Sequence, residues 1–316
     1  MSEPRALWIV APGRAEIRPA SLGEGLALRM LWSGISRGTE RLVSRGAIPP
    51  SEFERMRAPN QEGAFPFPVK YGYAAVARIE EGAEAGQMVF ALFPHQTRFR
   101  LPPDQVFPLP AALPPQRAIM AANMETALNI LWDSGAGAGD RVSVIGAGVV
   151  GALVGYLCAR LPGCEVTLAD IDASRAVLAQ KLGCAFVDSA NLPPAQDVVI
   201  NTSAAASALA RAFDIAGPGA TVVEASWHGA TPVELPLGGA FHSQRLRLIS
   251  SQVGTLPSAR LPRWTHRRRL QKALELLLDD RVEMLISGES AFDSLPQDYH
   301  RVIEAPGTLC HRIRYD

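Results

Sequence analysis

Cysteine is scarce. There are four in 316 residues, and no two of them form a C-x-x-C pair. A stapled secreted scaffold needs more cysteine in a shorter chain. Cys158, Cys164, Cys184 and Cys310 each lie beside apolar residues, which reads as reduced thiols packed in an interior. Surplus charge is also missing: 31 Lys and Arg balance 31 Asp and Glu. A dedicated nucleic-acid binder needs excess cations to neutralise phosphates, so that class is set aside. No apolar run approaches the roughly 18 residues that span a bilayer. The N-terminal segment, with Ala6 to Val10 as its short apolar stretch, lacks the long apolar core of a signal peptide. The expectation is therefore a cytoplasmic protein without a membrane partner. No internal repeat and no low-complexity tract is visible.

What is present is the mixture of a packed globular protein, 47% hydrophobic and 20% charged, long enough for about two domains. Up to about residue 118 the chain is a series of short apolar runs separated by Pro- and Gly-rich turns. Ala6–Val10, Leu26–Trp32, Ala74–Ile79 and Gln87–Phe93 are predicted strands of a compact, barrel-like β domain. Pro49 to Pro68 is predicted to be a long loop with one helical turn near Ser51–Arg57. Beyond Pro115 the pattern changes. Gln116–Leu131 has helical spacing. From Arg141, strands (Arg141–Ile145, Glu165–Ala169, Asp197–Ile200, Ala220–Glu224, Arg245–Ile249) alternate with helices (to about Leu161, Ala173–Leu182, Ala204–Ala216). That alternation predicts a parallel sheet covered by helices. Arg267–Leu278 reads as a helix whose Arg267-Arg268-Arg269 run forms a solvated face, and Arg301–Tyr315 as a final strand.

Gly146-Ala147-Gly148-Val149-Val150-Gly151 is a G-x-G-x-x-G in its full context. The strand Val142–Ile145 runs into it and the apolar helix Ala152–Ala159 leaves it. A second strand ends at Asp170, 19 residues past Gly151. This is the dinucleotide-binding pattern of a Rossmann fold. The glycines allow a tight turn, close approach to a pyrophosphate and close helix packing, the helix N-terminus attracts phosphate, and the acid holds a ribose. A carboxylate at Asp170, followed by Ile171, favours NAD over NADP because it repels a 2′-phosphate. Ligands of such sheets lie outside the carboxyl ends of the strands. Asn201, Thr202 and Ser203, and Ala225, Ser226, Trp227 and His228, are therefore further cofactor-binding candidates, or simply turn residues.

The segment Gly139–Gly151 is similar to the nucleotide-binding signature of the medium-chain dehydrogenase/reductase superfamily. Ser33-Gly-Ile-Ser-Arg-Gly-Thr-Glu40 resembles the motif of its catalytic domain, and Glu84–Phe90 resembles its "G-D-x-V" strand. The resemblance spans essentially the whole chain. It implies an α/β protein with a Rossmann doubly wound parallel sheet at 119–256 and a GroES-like β-barrel catalytic domain made from 1–118 and 257–316. It also implies a homodimer through the sheet edge near Arg245–Val253. The departures are informative. Zinc alcohol dehydrogenases of the family carry a Cys where Ser36 stands, a His-Glu pair where Tyr73-Ala74 stands and a third ligand near Ala122, and their four-cysteine lobe has no counterpart in Ala91–Leu101. A tetrahedral zinc needs three or four Cys, His or carboxylate ligands. No metal ligands are predicted, and no zinc. Zinc-free members share the Ser-Gly-Ile-Ser-x-Gly-Thr-Glu string, among them hydroxyethyl-bacteriochlorophyllide dehydrogenases of photosynthetic bacteria, though one short motif does not specify a substrate.

Hydride transfer to or from a carbonyl carbon develops charge on oxygen. Without a metal, the protein must supply hydrogen-bond donors or a general acid/base. Ser36 and Tyr73 stand where zinc ligands would, Thr39 is close in sequence, His95 follows a predicted strand, and Glu125 opens the helix leading into the cofactor domain. Each also has a plain structural role available: Tyr73 as filler, Ser36 bonded to its own backbone, His95 as a loop residue and Glu125 as a helix-start carboxylate. The expectation is a zinc-independent, NAD-dependent oxidoreductase acting on an alcohol or carbonyl group of a small organic molecule. An NADPH-dependent quinone or enone reductase and a non-catalytic dinucleotide-binding sensor or structural protein remain as alternatives.

Overall fold

A computed structural model describes residues 3–316. In chain order, the first strands are β1 (Arg5–Ala11), β2 (Arg14–Pro19) and β3 (Leu26–Ser36), followed by helix α1 (Arg37–Ser44). Next come β4 (Glu62–Gly63), β5 (Val69–Lys70), β6 (Ala75–Ile79), β7 (Met88–Ala91), β8 (Arg98–Leu101) and β9 (Phe107–Pro108). A 3-10 segment, Pro115–Met120, leads into α2 (Ala121–Ser134). Then follow β10 (Arg141–Ile145), α3 (Val149–Cys158), β11 (Glu165–Asp170), α4 (Arg175–Leu182), β12 (Ala185–Asp188), β13 (Gln196–Asn201), α5 (Ala206–Ile215), β14 (Ala216–Glu224) and β15 (Arg247–Ser250). The chain closes with α6 (His266–Leu276), β16 (Ile286–Ala291), α7 (Leu295–Glu304) and β17 (Cys310–Arg314).

These elements divide into two compact units, one built from 1–122 with 274–316 and the other from 123–273. In the first, β2-β1-β5-β4 form one antiparallel sheet. A larger sheet runs β16-β17-β3-β6-β7-β9, with β8 also paired to β3. The C-terminal return is held inside this unit by pairing of β17 along β3 and by the Arg117 guanidinium, which meets Glu283 at 2.6 Å. Leu28, Met30, Ile35, Val76, Val89, Phe90 and Phe99 fill the interior, each at no more than 1% exposure. Burial of each stabilises the unit by roughly 1.5–3 kcal/mol.

The second unit is a six-stranded parallel sheet, order β12-β11-β10-β13-β14-β15, with α3, α4 and α5 as crossovers. The strand order reverses between β10 and β13, which makes their carboxyl ends the switch point where ligands of such sheets bind. The fold class is thus α/β, with a doubly wound Rossmann sheet and a GroES-like β-barrel.

Several local expectations are corrected. Arg301–Glu304 belong to α7 and not to a strand, because Leu295, Tyr299, Val302 and Ile303 form a buried helical stripe; only Cys310–Arg314 are extended. The Pro49–Pro68 segment contains a 3-10 turn at Pro50–Glu52 and the short β4. The Arg267–Arg269 run is not uniformly solvated: Arg267 and Arg268 are exposed, whereas Arg269 is 2% exposed and turned inward. The strands β2, β8 and β16 escape a reading by apolar runs because polar residues interrupt them, and β12 escapes it because it is only four residues long. All four cysteines are free, and Cys164 is only partly buried.

Candidate dinucleotide and hydroxyl sites

In the parallel-sheet unit, β10 delivers the chain into the glycine turn. Gly146 has a φ of +100°, and a Cβ there would lie 2.9 Å from the Ser203 backbone. Gly151 is packed harder still: a Cβ would stand 1.9 Å from Gly146 O and 2.4 Å from Thr202 Oγ1. The Thr202 hydroxyl donates to Gly146 O at 2.8 Å and so ties the end of β13 to the turn. Gly148 is the opposite case. Its φ is −69°, it caps α3 with no side-chain hydrogen bond, and a Cβ would meet nothing within 4 Å. An uncapped helix N-terminus beside open space is the cradle that a pyrophosphate fits.

Asp170 ends β11 beside this turn. Its Oδ2 accepts the Ala147 N–H at 2.7 Å, and its Oδ1 accepts the Asp172 N–H at 2.9 Å. Each oxygen keeps a lone pair for a further donor. Arg175 is turned toward Asp172, 3.4 Å away, and Ile171 is 86% exposed next to the carboxylate. A dinucleotide therefore fits the residues present.

At the ends of β13 and β14 the structure gathers a polar cluster that sequence reading identified only in part. Asn201 and Glu224 are register partners. Glu224 accepts from Asn201 Nδ2 and from the Ser226 N–H, both at 2.7 Å, and His228 Nε2 lies 3.4 Å from its Oε2. The Ser203 hydroxyl donates to Asn201 Oδ1 at 2.7 Å, and the Ser226 hydroxyl accepts the Ala204 N–H at 2.9 Å. Ser203, Ser226 and His228 are thus brought together, with Trp227 partly exposed between them. Glu224 was missed, although an acid ending a strand of such a sheet is itself a signal.

Within the barrel unit, Ser36, Thr39, Tyr73 and His95 converge. Ser36 ends β3 and caps α1, which carries Thr39. Burial pushes the Tyr73 phenol up to about 12, opposed by the neighbouring Ser36 and Thr39 side chains and reinforced by the nearby Glu40 and Cys310. His95 is 1% exposed, and its ring packs where a Cβ on Gly72 would come within 3.0 Å. His95 bonds Ser33 through Nδ1 and Glu40 through Nε2. Sequence reading passed over Ser33, Glu40, Tyr299 and Tyr315, which complete this network. Glu40 could have been found as the buried end of the Ser33–Glu40 motif, four residues after Ser36.

Glu125 is not in this group. It lies in the parallel-sheet unit, where Arg269 Nε donates to its Oε1 at 3.0 Å. Arg269 is further held by Asn129 Oδ1 at 2.5 Å and Val253 O at 2.6 Å. Burial raises the Glu125 carboxyl, and Arg269 opposes the shift. Among the described residues, no group of three or more His, Cys, Asp or Glu side chains could hold a metal ion. The groups gathered around Tyr73 are hydroxyls, the His95–Glu40 pair and the buried Cys310 thiol, and they are not arranged as a metal-holding group.

No family model matches the chain. Among curated proteins, D-guloside 3-dehydrogenase of Escherichia coli K12 is similar, at 24% identity over 192 residues, covering 56% of this chain and 55% of that protein. The chain spans about half the length of the curated relatives it matches. Among solved structures, one from Sinorhizobium meliloti 1021, assigned as a zinc-binding dehydrogenase and bound to NADP, superposes with a TM-score of 0.77. It is 21% identical, with 99% of this chain and 100% of that one covered. A short chain alcohol dehydrogenase of Escherichia coli CFT073 complexed with NADH gives a TM-score of 0.77 at 16% identity, covering 100% and 99%. The fold is that of these dehydrogenases.

Proposed function

We propose that this chain is a zinc-independent, NAD-dependent oxidoreductase that interconverts an alcohol and a carbonyl group on a small organic substrate. The observation that carries the reading is the open, uncapped turn at Gly148 with Asp170 beside it. When bound, the nicotinamide supplies or accepts the hydride. Gly146–Gly151 seat the pyrophosphate, and Asp170 accepts from the adenosine ribose hydroxyls, at roughly 1.5–3 kcal/mol for a charge-assisted bond. Thr202, Ser203, Ser226, Trp227 and His228 border the cofactor beyond the strand ends. A similar fold carries NADP in one solved protein and NADH in another. The carboxylate at Asp170, with Arg175 held by Asp172, favours NAD here.

The Tyr73 hydroxyl is the hydrogen-bond donor to the substrate oxygen, with Ser36 and Thr39 orienting it. A phenol kept protonated at neutral pH donates to a developing oxyanion, the role a Lewis acid fills in metal-dependent relatives. Glu125 holds Arg269 and moves no substrate proton. The chain works as a homodimer through the β15 edge.

The test is NADH-coupled turnover of a panel of aldehydes, ketones and quinones by the purified protein and by Tyr73→Phe. Turnover on a carbonyl compound, with kcat/KM lowered about 10²–10³-fold in the variant and NADH affinity kept, is the expected result. Turnover on quinones alone, or preference for NADPH, moves the assignment to a quinone reductase. Tight NADH binding with no turnover makes the protein a sensor.

A further inference from the structure

The parallel sheet consists of two three-strand halves, β10-β11-β12 and β13-β14-β15, that meet at the switch point. The second strand of each half ends in an acid, Asp170 on β11 and Glu224 on β14. The two carboxylates are held in the same way. Asp170 Oδ1 accepts the N–H two residues on, that of Asp172, at 2.9 Å; its Oδ2 accepts the Ala147 N–H at 2.7 Å, from the turn after the first strand of its half. Glu224 Oε1 accepts the N–H two residues on, that of Ser226, at 2.7 Å; its Oε2 accepts from Asn201 Nδ2 at 2.7 Å, at the end of the first strand of its half. Both acids are half-buried, and the Glu224 side chain keeps 15% exposure.

The two halves touch at the glycine turn. The Thr202 hydroxyl donates to Gly146 O at 2.8 Å, and a Cβ on Gly146 would lie 2.9 Å from the Ser203 backbone. The pyrophosphate turn is therefore continuous with the end of β13. The polar groups beyond that end are mostly committed to one another. The Ser203 hydroxyl donates to Asn201 Oδ1 at 2.7 Å, and the Ser226 hydroxyl to Asn201 O at 3.4 Å. Asn201 itself is 0% exposed. Glu224 Oε1 holds the Ser226 N–H and, like any carboxylate oxygen, has room for a second donor. His228 Nε2 stands 3.4 Å from the other oxygen, Oε2. What this cluster offers a ligand is thus an acceptor, which suits a group rich in O–H donors.

We propose that Glu224 is a cofactor-binding residue, the counterpart of Asp170 in the second half of the sheet, whose carboxylate accepts from the hydroxyls of the nicotinamide ribose. The claim deepens the dinucleotide reading given above and rests on it. A dinucleotide lies across a switch point of this kind with one nucleoside on each half. With the adenosine ribose on Asp170 and the pyrophosphate at the Gly148 turn, the second nucleoside belongs to the half that carries Glu224. The two nucleosides differ in their bases and share a ribose with two neighbouring hydroxyls. An acid at the same strand end of each half matches the part they share. Asn201, the register partner of Glu224, ties that acid to the strand bordering the switch point. A hydrogen bond to a charged acceptor contributes about ten- to hundredfold in affinity.

The test is isothermal titration calorimetry of the unmodified full-length protein and of Glu224→Gln, each with ADP and with NADH. ADP carries the adenosine and the pyrophosphate, and NADH adds the second nucleoside. The variant should bind NADH about ten- to hundredfold more weakly and ADP within about twofold of the parent. NADH affinity kept within about twofold overturns the proposal. So does an equal loss of both ligands, which makes Glu224 a support of the strand ends alone. If Glu224→Gln does not fold, the unmodified protein is titrated with a dinucleotide whose nicotinamide ribose lacks both hydroxyls. That ligand should bind about tenfold or more weakly than NADH, and equal binding overturns the proposal. The two possible failures are distinct. A parent that binds neither ADP nor NADH defeats the dinucleotide reading and this proposal with it. A parent that binds both, with NADH affinity unmoved in Glu224→Gln, defeats the proposal alone.

Discussion

Gly148→Ala separates cofactor binding from folding. Gly148 sits at a φ of −69° and ψ of −178°, where any residue is at ease, and an added Cβ meets no protein atom within 4 Å. The folding cost is therefore that of alanine at a helix N-cap, about 1 kcal/mol. The same methyl occupies the space through which a pyrophosphate approaches the first turn of α3. Losing even part of that contact should weaken NADH at least tenfold, about 1.4 kcal/mol, and a blocked approach should weaken it about 100-fold. Gly151→Ala is the contrasting variant. Its Cβ would stand 1.9 Å from Gly146 O, so the turn itself must move, and stability and binding should fall together, by 1–3 kcal/mol or more for stability. The assay is NADH titration by quenching of tryptophan fluorescence, alongside a thermal melt of each variant. Gly148→Ala protein that melts like the parent but binds NADH within twofold of it would refute the assignment of this turn to the pyrophosphate.

Asp170→Ala should weaken NADH about tenfold or more and narrow the preference for NADH over NADPH; parallel titrations with both cofactors check this, and an unchanged ratio removes the ribose role. Glu125→Ala removes the carboxyl group that the buried Arg269 guanidinium bonds and should destabilise the protein by about 3 kcal/mol in denaturant melts. The pH dependence of those melts has a definite sign. The folded Glu125 carboxyl titrates above its ordinary value of 4.5 because of burial, so its contribution is present below that value and is lost as pH rises through the folded one. Glu125→Ala should remove that share of the slope, and an identical slope in parent and variant would contradict the burial argument.

The sequence alone determined the parts whose physics is local. A G-x-G-x-x-G between an apolar strand and an apolar helix constrains a turn, and the alternating pattern from Arg141 onward constrains a parallel sheet, because strand and helix periods differ and crossovers need length. Gly146, Gly148, Gly151 and Asp170 were legible for this reason, and the structure places the Asp170 carboxylate on the Ala147 N–H of that turn. Ser36, Thr39 and Tyr73 were reached through resemblance, by noting what replaces metal ligands. Tertiary structure decided what depends on partners distant in the chain. It turned Arg269 inward because Glu125 and Asn129 wait for it across a helix pair, a pairing that a run of three arginines does not announce. It made a helix of Leu295–Glu304, where a stripe of apolar side chains had a barrel surface to cover. It also joined Ser33, Glu40, His95, Tyr299 and Tyr315, residues drawn from both ends of the chain, into one hydrogen-bonded run. Buried polar groups must find partners wherever the fold brings them, so their pairing is a property of the packed interior and not of sequence neighbours.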